Sequence, residues 1–545
     1  MPGWLKNAVF YEIYPQSFYD TNDDGIGDIG GIIEKLDYIK DLGANALWIN
    51  PWYDSPFKDA GYDVRDYKKV ASRYGTNEDA KRLFETAHKK GIRVLLDLVP
   101  GHTSEEHEWF KESGKAIPVV DGVPKKNEHS DRYIWTEYWL SGIGGHPYIS
   151  GECDRNGVYM LNFFKSQPAL NYGFAAPTES WQMSYKDPEP QKTLELMMDV
   201  MRFWLDMGCD GFRVDMADSL VKDDDDRKSC TCSLWKKVRS MLDKEYPEAA
   251  MVSEWSNPEL SLADAGFHMD FYLDHAGNGY NRLFRDYETL EKYHVFPIAE
   301  DRKNTEGRDR SFFKKDGDSD ASAFLSDYIP KYEKTKDAGY ICFMTCNHDT
   351  PRPARTLDET ELKIAYATIF TLPGVPFIYY GDEIGMKYIE NLPTKEGGYT
   401  RTGSRTPMQW DVDATNMGFS GASSDKLYLP VDEGGPSVTA QQSDKSSLYN
   451  VVKDILNIRR NEKSLCADAP FEVLCRGKEK PFIYRRGELI ILVNPGEKDI
   501  EYTADHPAIR SGNFEEVYSI GRIEHSGDKI VLKAQSFEII RLKCL

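Results

Sequence analysis

The sequence has no apolar stretch that could cross a membrane, and it begins without an apolar leader. No segment approaches the roughly 18 consecutive apolar residues of a membrane helix, and the opening Met-Pro-Gly-Trp-Leu-Lys lacks the hydrophobic region of a signal peptide. The nine cysteines are odd in number and scattered, without the spacing of a metal site. We therefore expect a cytoplasmic protein with reduced cysteines.

Basic residues are outnumbered by acidic ones. The chain carries 68 lysines and arginines against 89 aspartates and glutamates, which gives a formal net charge of −21. A chain with this charge is repelled by nucleic acid and by anionic membrane surfaces. We therefore expect neither of them as a partner.

What the sequence does contain is a repeated alternation of short apolar strands and amphipathic helices. Eight strand candidates in this order predict a parallel sheet. They fit a (β/α)8 barrel better than an open doubly wound sheet, and no glycine-rich phosphate loop follows any of them. The candidate strands are 9–14, 45–50, 92–99, 209–214, 251–252, 266–271, 340–345 and 375–380.

The alternation is interrupted twice, which divides the chain into three predicted domains. Residues 103–180 mix Gly, Pro and His with short strand-like pieces and predict a B domain inserted after the third strand. Residues 463–545 change to short alternating runs separated by turns, which predicts a C-terminal antiparallel β-sandwich domain. The barrel then consists of 1–102 and 181–462, with an insertion after the eighth strand.

The segment Asp210–Asp215 places an arginine and a carboxylate on the same side of the fourth strand. Arg213 and Asp215 are two residues apart in an extended chain, so their side chains share a face. A guanidinium this close predicts a depressed pKa for Asp215, and hence a carboxylate that is ionised at neutral pH. Taken alone, the pair is better explained as a structural ion pair.

Polar residues at the ends of three other strands change that interpretation. Strand three ends in Asp97–His102, strand five in Ser253–Glu254 and strand seven in Asn347–Asp349. The carboxyl ends of barrel strands meet at the active-site face. Glycoside hydrolysis by double displacement needs one ionised carboxylate as nucleophile and one protonated carboxyl as acid and then base. The four strand ends together predict such a site.

These four segments resemble the signature regions of the α-amylase superfamily of glycoside hydrolases, family 13. The resemblance extends over the barrel, the inserted domain and the C-terminal domain. It implies that Asp215 is the nucleophile, Glu254 the acid/base and Asp349 the transition-state stabiliser. The sugar-binding residues that it implies are Tyr62, which would stack under the sugar, together with His102, Arg213 and His348.

Within the superfamily the chain is more similar to the oligo-1,6-glucosidase and α-glucosidase group. Residues 167–171 of the inserted domain and residues 401–410 after strand eight carry this likeness. It implies that Arg401 or Arg405 pairs with Asp63 and closes the non-reducing end of the sugar site. A closed pocket implies exo action on short oligosaccharides. The other residues implied in this pocket are Phe163 and Gln167.

The loop that begins at Asp20 has the spacing of an EF-hand oxygen cage. Oxygen ligands fall at positions one, three, five, seven and nine, and Gly25 allows the sharp turn at position six. Position twelve is Gly31 where an EF-hand has Glu. Because the resembling group often binds Ca²⁺ or Mg²⁺ here, we expect one structural cation after strand one rather than the alternative, a bare N-capping turn. Its predicted ligands are Asp20, Asn22, Asp24, the carbonyl of Ile26 and Asp28.

Two departures from the family pattern bear on metal binding and on linkage. Gly101 stands where most of the family has an Asn that binds Ca²⁺ between barrel and B domain, so we expect no metal there. The related glucosidases tend to distinguish α-1,6 from α-1,4 linkages by Val against Ala or Thr after the nucleophile. Met216 matches neither pattern, and the linkage preference stays open.

The sequence therefore predicts a retaining α-glucosidase that cleaves α-1,4 or α-1,6 bonds at the non-reducing end of short oligosaccharides. An endo-acting α-amylase and a transglycosylase or glucosyl isomerase are alternatives with the same machinery. A catalytically silent sugar-binding relative is a further alternative, which the presence of Asp215, Glu254 and Asp349 disfavours.

Overall fold

The computed structural model describes most of the chain. The predicted domains 103–180, 181–462 and 463–545 each include short segments that lie outside the described residues. The described residues are 1–136, 145–150, 153–273, 275, 278–289, 307–317, 319–476, 481–504 and 506–543.

Eight parallel strands form a central barrel in the order β7-β6-β5-β4-β3-β2-β1-β8. A parallel bridge between Met344 and Phe377 brings the two edges of this sheet together. Because side chains fill the interior of an eight-stranded barrel, its strands are almost wholly buried. The expected (β/α)8 barrel is confirmed. The strands are β1 (Phe10–Ile13), β2 (Ala46–Ile49), β3 (Arg93–Leu98), β4 (Gly211–Val214), β5 (Ala250–Ser253), β6 (Met269–Phe271), β7 (Tyr340–Cys342) and β8 (Phe377–Tyr379).

Helices follow the strands and cover the outside of the barrel. Thr76 and Asp79 exchange hydrogen bonds in a capping box at the start of one of them, which fixes where it begins. No helix among the described residues is long and apolar enough to span a membrane. The helices are Ile29–Glu34 and Leu36–Leu42 after β1, Asn77–Lys89 after β2, Pro188–Met207 after β3, Ser229–Glu245 after β4, the π-helical Glu259–Ala265 after β5, Ser322–Thr335 after β6, Glu359–Ile369 after β7 and Leu448–Asn461 after β8.

Gly211 shows how the sequence positions β4. Its φ of 137° lies in the region that favours glycine, and a Cβ there would lie 1.9 Å from the carbonyl oxygen of Ala250 on β5. A side chain at this position would separate the two strands. Glycine therefore keeps Arg213 and Asp215, further along β4, close to the end of β5.

A small antiparallel sheet lies between β3 and β4 in the chain. Val158–Met160 pairs with Trp135–Thr136 on one side and with Tyr148–Ser150 on the other. A bridge between His102 and Ala169 then brings the chain back beside the end of β3. The inserted region therefore reaches the face of the barrel where the strand ends meet.

A buried lysine lies where this region meets the loop after β4. The ammonium of Lys222 donates to the carbonyl oxygen of Ser219 at 2.7 Å and to Oδ1 of Asn162 at 3.2 Å. Burial lowers the pKa of Lys222 to about 8. A Cβ at Gly101 would lie 2.7 Å from Nδ2 of Asn162, so the glycine leaves room for that side chain. That no metal binds at Gly101 stays a prediction.

The C-terminal residues form two antiparallel sheets, in the orders β9-β10-β11-β16-β13 and β12-β15-β14. Ile483, Ile490, Ile530 and Ile540 come from both sheets and pack together, so the sheets share one apolar core. The expected antiparallel β-sandwich is confirmed. Its strands are β9 (Phe471–Arg476), β10 (Phe482–Arg486), β11 (Leu489–Asn494), β12 (Ile500–Thr503), β13 (Phe514–Ile520), β14 (Ile523–Ser526), β15 (Lys529–Leu532) and β16 (Ser536–Leu542).

Candidate active site

The carboxyl ends of β3, β4 and β5 bring three carboxyl groups to one buried arginine. Nη1 of Arg213 lies 2.8 Å from Oδ1 of Asp97 and 3.0 Å from Oδ1 of Asp215. Its Nη2 lies 2.8 Å from Oε1 of Glu254. Strand register explains the arrangement, because Arg213 is paired with Asp97 on β3 and with Val252 on β5. The Arg213–Asp215 pair is therefore one part of a larger charge cluster.

One guanidinium does not offset the buried carboxyl groups of Asp97 and Asp215 together with the partly buried carboxyl group of Glu254. Burial, together with the charges of Glu254, Asp97 and Asp349, raises the pKa of Asp215 well above its usual range. The expected net depression of this pKa is wrong: Arg213 does lower it, but burial and the carboxyl groups on other strands outweigh that effect.

Met216 connects the ends of β4 and β5. Its φ is 42°, an uncommon value for a residue other than glycine. In this conformation its backbone N–H donates to Oε2 of Glu254 at 3.0 Å. Glu254 is therefore held by Arg213 through one oxygen and by Met216 through the other.

Asp349, which follows β7, has surroundings of the opposite kind. Its Oδ1 accepts hydrogen bonds from Arg401 and from Arg405, each at 2.8 Å, and its Oδ2 lies 3.1 Å from Nε2 of His348. Burial alone would raise the pKa of Asp349, but His348 and the two arginines hold it well below its usual range. Asp349 is therefore ionised at neutral pH.

His348 lies between two carboxyl groups inside the barrel. Its Nδ1 is 2.9 Å from Oε1 of Glu12 on β1, and its Nε2 faces Asp349. Burial disfavours a charged ring, yet Asp349 and Glu12 raise the pKa of His348 to about 9. His348 is therefore an imidazolium at neutral pH.

Tyr62 stacks on this imidazolium, with ring centroids 5.4 Å apart and ring planes 13° apart. Its hydroxyl donates to Oδ2 of Asp97 at 2.9 Å. The carbonyl of Tyr62 accepts from Nε2 of His102 at 3.1 Å, while Nδ1 of His102 accepts from Asn162 at 3.1 Å. Burial lowers the pKa of His102 to about 4, so this second histidine is neutral.

The expected pairing of a loop arginine with Asp63 is wrong, and Asp59 takes that place. The carboxylate of Asp63 accepts from the backbone N–H groups of Lys58 at 2.8 Å and Asp59 at 3.0 Å, and from the hydroxyl of Ser55 at 3.0 Å. These donors satisfy Asp63 within its own turn. Nη2 of Arg401 lies instead 3.5 Å from Oδ1 of Asp59.

Gln167 and Phe163 reach the same wall from the inserted region. Nε2 of Gln167 donates to Oδ2 of Asp59 at 2.8 Å, and Gln167 itself is buried. Phe163 is 49% exposed and packs its ring against Phe164, with centroids 4.5 Å apart. Gln167 therefore positions Asp59, whereas Phe163 lies at the rim.

Three carboxyl groups in the site were not among the predicted site residues. Asp97 belongs to a predicted polar strand end, and parallel pairing of β3 with β4 places it opposite Arg213. Glu12 is a lone carboxylate in the otherwise apolar strand β1, which is a usable signal. Asp59 lies four residues from Asp63 in one turn, and the sequence offers nothing to distinguish the two.

Carboxylate oxygens of the loop Asp20–Asp28 accept hydrogen bonds from nearby backbone N–H groups. Asp20 accepts from the backbone N–H groups of Asn22 at 3.0 Å and Gly25 at 2.8 Å. Asp28 accepts from the N–H of Gly31 at 2.7 Å and caps the following helix. Gly25 has a φ of 91°, so the turn that an oxygen cage requires is present.

The negative charges in this loop suit a hard cation, although the carboxylate oxygens accept hydrogen bonds from the loop and the start of the following helix. Burial, and then the charges of Asp20 and Asp28, raise the pKa of Asp24. Within the described part of the chain, no group of three or more His, Cys, Asp or Glu side chains is arranged to hold a metal ion. The oxygen donor set and the turn therefore fit Ca²⁺ or Mg²⁺, whereas the side chains would need to reorient to bind it.

Comparisons with known proteins agree with this geometry. Residues 12–468 match the family model for the alpha amylase catalytic domain. The trehalose synthase/amylase TreS of Mycolicibacterium smegmatis is 34% identical over 84% of this chain and 76% of its own. The oligo-1,6-glucosidase of Heyndrickxia coagulans is 30% identical over 95% of this chain and 97% of its own.

Solved structures are similar over the whole length. The alpha-glucosyl transfer enzyme XgtA is 25% identical with a TM-score of 0.77, and the alignment covers 100% of both chains. A mutant isomaltulose synthase from Erwinia rhapontici NX5, solved with sucrose, is 25% identical with a TM-score of 0.76 over 100% of both chains.

Proposed function

We propose, from the premise that this chain belongs to the α-amylase family of glycoside hydrolases, that it is a retaining α-glucosidase. Its substrates would be short oligosaccharides with an α-1,4- or α-1,6-linked glucose at the non-reducing end. The observation that carries the proposal is the contact of Arg213 with both Asp215 and Glu254. It supports a nucleophile and an acid/base held at one place, as double displacement requires.

In this mechanism Asp215 attacks the anomeric carbon while Glu254 protonates the departing oxygen. This step needs Asp215 ionised and Glu254 protonated. Glu254 then removes a proton from the incoming hydroxyl as the glucosyl–Asp215 ester is broken. Asp349, ionised and held by two arginines, would stabilise the positive charge that develops on the sugar ring.

The remaining site residues would bind the sugar that is cleaved. Tyr62 would offer its ring to the sugar face, and the neutral His102 and the charged His348 would line the same pocket. The wall made by Arg401, Asp59 and Gln167 supports a closed non-reducing end, and therefore exo action. Arg405 would act by holding Asp349 in place through their hydrogen bond. Phe163 would contact the sugar at the edge of the pocket.

The nucleophile is tested by Asp215→Ala with an aryl α-glucoside as substrate. The variant should lose hydrolysis by roughly 10⁴-fold or more, because the covalent step is gone, while its circular dichroism and thermal unfolding stay close to those of the wild type. Asp218→Ala, in the same loop after β4, is the matched control and should retain most activity. An Asp215→Ala enzyme with near wild-type turnover would refute the assignment.

A transglycosylase or glucosyl isomerase is the second candidate. The similarity to proteins named trehalose synthase and isomaltulose synthase favours it. Incubation with maltose separates the candidates, since a hydrolase yields glucose and an isomerase yields a second disaccharide.

We also propose one structural Ca²⁺ or Mg²⁺, held by Asp20, Asn22, Asp24, the carbonyl of Ile26 and Asp28. The oxygen donor set and the turn at Gly25 support it. For location we propose the cytoplasm, which is supported by the free thiols of the eight described cysteines. Fractionation of cells that express the full chain would test the location, and recovery outside the cytoplasm would contradict it.

A further inference from the structure

A buried carboxyl group lies beside the strand whose end carries Glu254. Asp270 is fully buried on β6, between the apolar residues Met269 and Phe271. In the parallel pairing of β5 with β6 it lies opposite Ser253. Burial raises the pKa of Asp270 to about 7, so an ionised carboxylate is costly at this position. Carboxyl groups that are perturbed in this way concentrate at functional sites.

The hydrogen bonds of Asp270 go to the chain on both sides of Glu254. Its Oδ1 accepts from the hydroxyl of Ser253 at 2.7 Å, and Ser253 is the residue before Glu254. The same oxygen accepts from the backbone N–H of Ser256, two residues after Glu254, at 3.2 Å. One carboxylate oxygen therefore holds the backbone just before and just after the proposed acid/base.

The turn after Glu254 has a backbone conformation that needs such support. Ser256 has a φ of 59°, a left-handed value that is uncommon for a residue other than glycine. Its hydroxyl accepts from the N–H of Leu273, which follows β6, at 3.1 Å. The N–H and the hydroxyl of Ser256 are thus both bound by residues on or just after β6. A strained turn persists where several contacts fix it in this way.

Glu254 is consequently supported from two neighbouring strands. On the β4 side its carboxyl group contacts Nη2 of Arg213 at 2.8 Å and the N–H of Met216 at 3.0 Å. On the β6 side Asp270 fixes the backbone that carries this carboxyl group. Proton transfer requires close approach of the acid to the departing oxygen, and a misplacement of about 1 Å can cost roughly 100-fold in rate.

We propose that Asp270 is a positioning residue for the acid/base Glu254, whose backbone it fixes on both sides. This inference rests on the double displacement proposed above. In the first step Asp215 bonds to the anomeric carbon, the bond from that carbon to the departing oxygen breaks, and this oxygen takes the proton of Glu254. A leaving group that departs as a stable anion needs this proton far less. Loss of Asp270 should therefore affect substrates unequally, according to their leaving group.

The test compares kcat/KM for phenyl α-glucoside with kcat/KM for α-glucosyl fluoride. The phenol oxygen needs a proton as it departs, whereas fluoride departs with little help from an acid. Asp270→Ala should lower kcat/KM for the phenyl glucoside by roughly 10- to 100-fold and for the fluoride by less than about threefold. Asp270→Asn keeps an acceptor oxygen at the same place and should keep the wild-type ratio of the two values.

Ser253→Ala is the second variant, which tests the proposal even if Asp270→Ala does not fold. It removes a single oxygen atom and with it the hydrogen bond before Glu254, and it leaves Asp270 in place. The value for the phenyl glucoside should fall by roughly three- to tenfold relative to the value for the fluoride.

Glu383→Ala is the matched control, because Glu383 is also a fully buried carboxyl group that accepts two hydrogen bonds. Burial raises its pKa to about 7, and its donors are the hydroxyls of Tyr11 at 2.7 Å and Tyr38 at 2.6 Å. Glu383 follows β8 and Tyr11 lies on β1, so neither belongs to the segment around Glu254. Any loss of activity in this variant should be equal for the two substrates.

Three results would overturn the inference: equal losses for both substrates in Asp270→Ala or Ser253→Ala, an Asp270→Asn enzyme that lacks the wild-type ratio, or a Glu383→Ala enzyme with the same selective loss. A wild-type enzyme that releases neither phenol nor fluoride would overturn the proposed function instead. The two failures are thereby distinguished.

Discussion

At the scale of single residues, neighbours from other strands decide the protonation of the site. His348 and His102 are both buried, yet one is charged because two carboxyl groups face it and the other is neutral because its neighbours are uncharged or cationic. Asp215 and Asp349 differ in the same way, with carboxyl groups around the first and cations around the second. Within one barrel interior, two histidines and two aspartates therefore have pKa values shifted in opposite directions.

The charge on His348 makes a testable contribution to stability. Its pKa is raised from an unfolded value near 6.5 to about 9, so its stabilisation is complete below pH 6.5 and is lost as pH rises through 9. The full contribution is about 3 kcal/mol. The difference in unfolding free energy between wild type and His348→Gln, from urea titrations, should therefore shrink as pH rises from 6 to 9.

His102→Gln serves as the control because its trend has the opposite sign. The pKa of His102 is lowered to about 4, so the wild type loses stability relative to this variant as pH falls from about 6.5 toward 4. Stability differences that stay constant with pH for both variants would contradict the assigned charge states.

At the scale of elements, the proposed cation site in the loop after β1 can be tested by removing one ligand charge. Asp24 accepts the N–H of Ile26 through one oxygen at 2.9 Å, and Asn could make the same bond. Asp24→Asn therefore preserves the turn while it removes one negative ligand.

Calcium should stabilise the wild type but not this variant. After treatment with a chelator, addition of Ca²⁺ should raise the melting temperature of the wild type by several degrees, because binding only the folded state stabilises it. The increase should be much smaller in Asp24→Asn. An equal increase in both proteins, or none in either, would contradict a cation in this loop.

At the scale of the whole molecule, two buried arginines meet where the barrel contacts the sandwich. Nη1 of Arg459 donates to the carbonyl of Phe370 at 2.7 Å, and Nη1 of Arg486 donates to that of Thr371 at 2.7 Å. Both carbonyls follow a barrel helix. Arg459 lies on the barrel helix after β8, whereas Arg486 lies on β10 of the sandwich. Both bonds satisfy carbonyls at a helix end, and the bond from Arg486 holds the C-terminal domain against the barrel.

Sequence reasoning recovered the parts of this molecule that depend on local pattern. Short apolar runs before amphipathic helices identified all eight barrel strands, and polar strand ends identified Asp215, Glu254 and Asp349 as neighbours. The raised pKa of Asp215 could not be predicted in this way, because the charges around Asp215 come from β3 and from the ends of β5 and β7. It also chose Asp63 over Asp59, because only the folded turn shows which carboxylate its backbone satisfies.

The central claim is that Asp215 forms a covalent glucosyl ester, and trapping that ester tests it most directly. The enzyme would be incubated with 5-fluoro-α-glucosyl fluoride, whose ring fluorine slows ester breakdown, then digested and analysed by mass spectrometry. The account predicts loss of activity and one fluoroglucosyl group on the peptide that contains Asp215. A label on any other residue, or turnover that releases the β-anomer first, would contradict it.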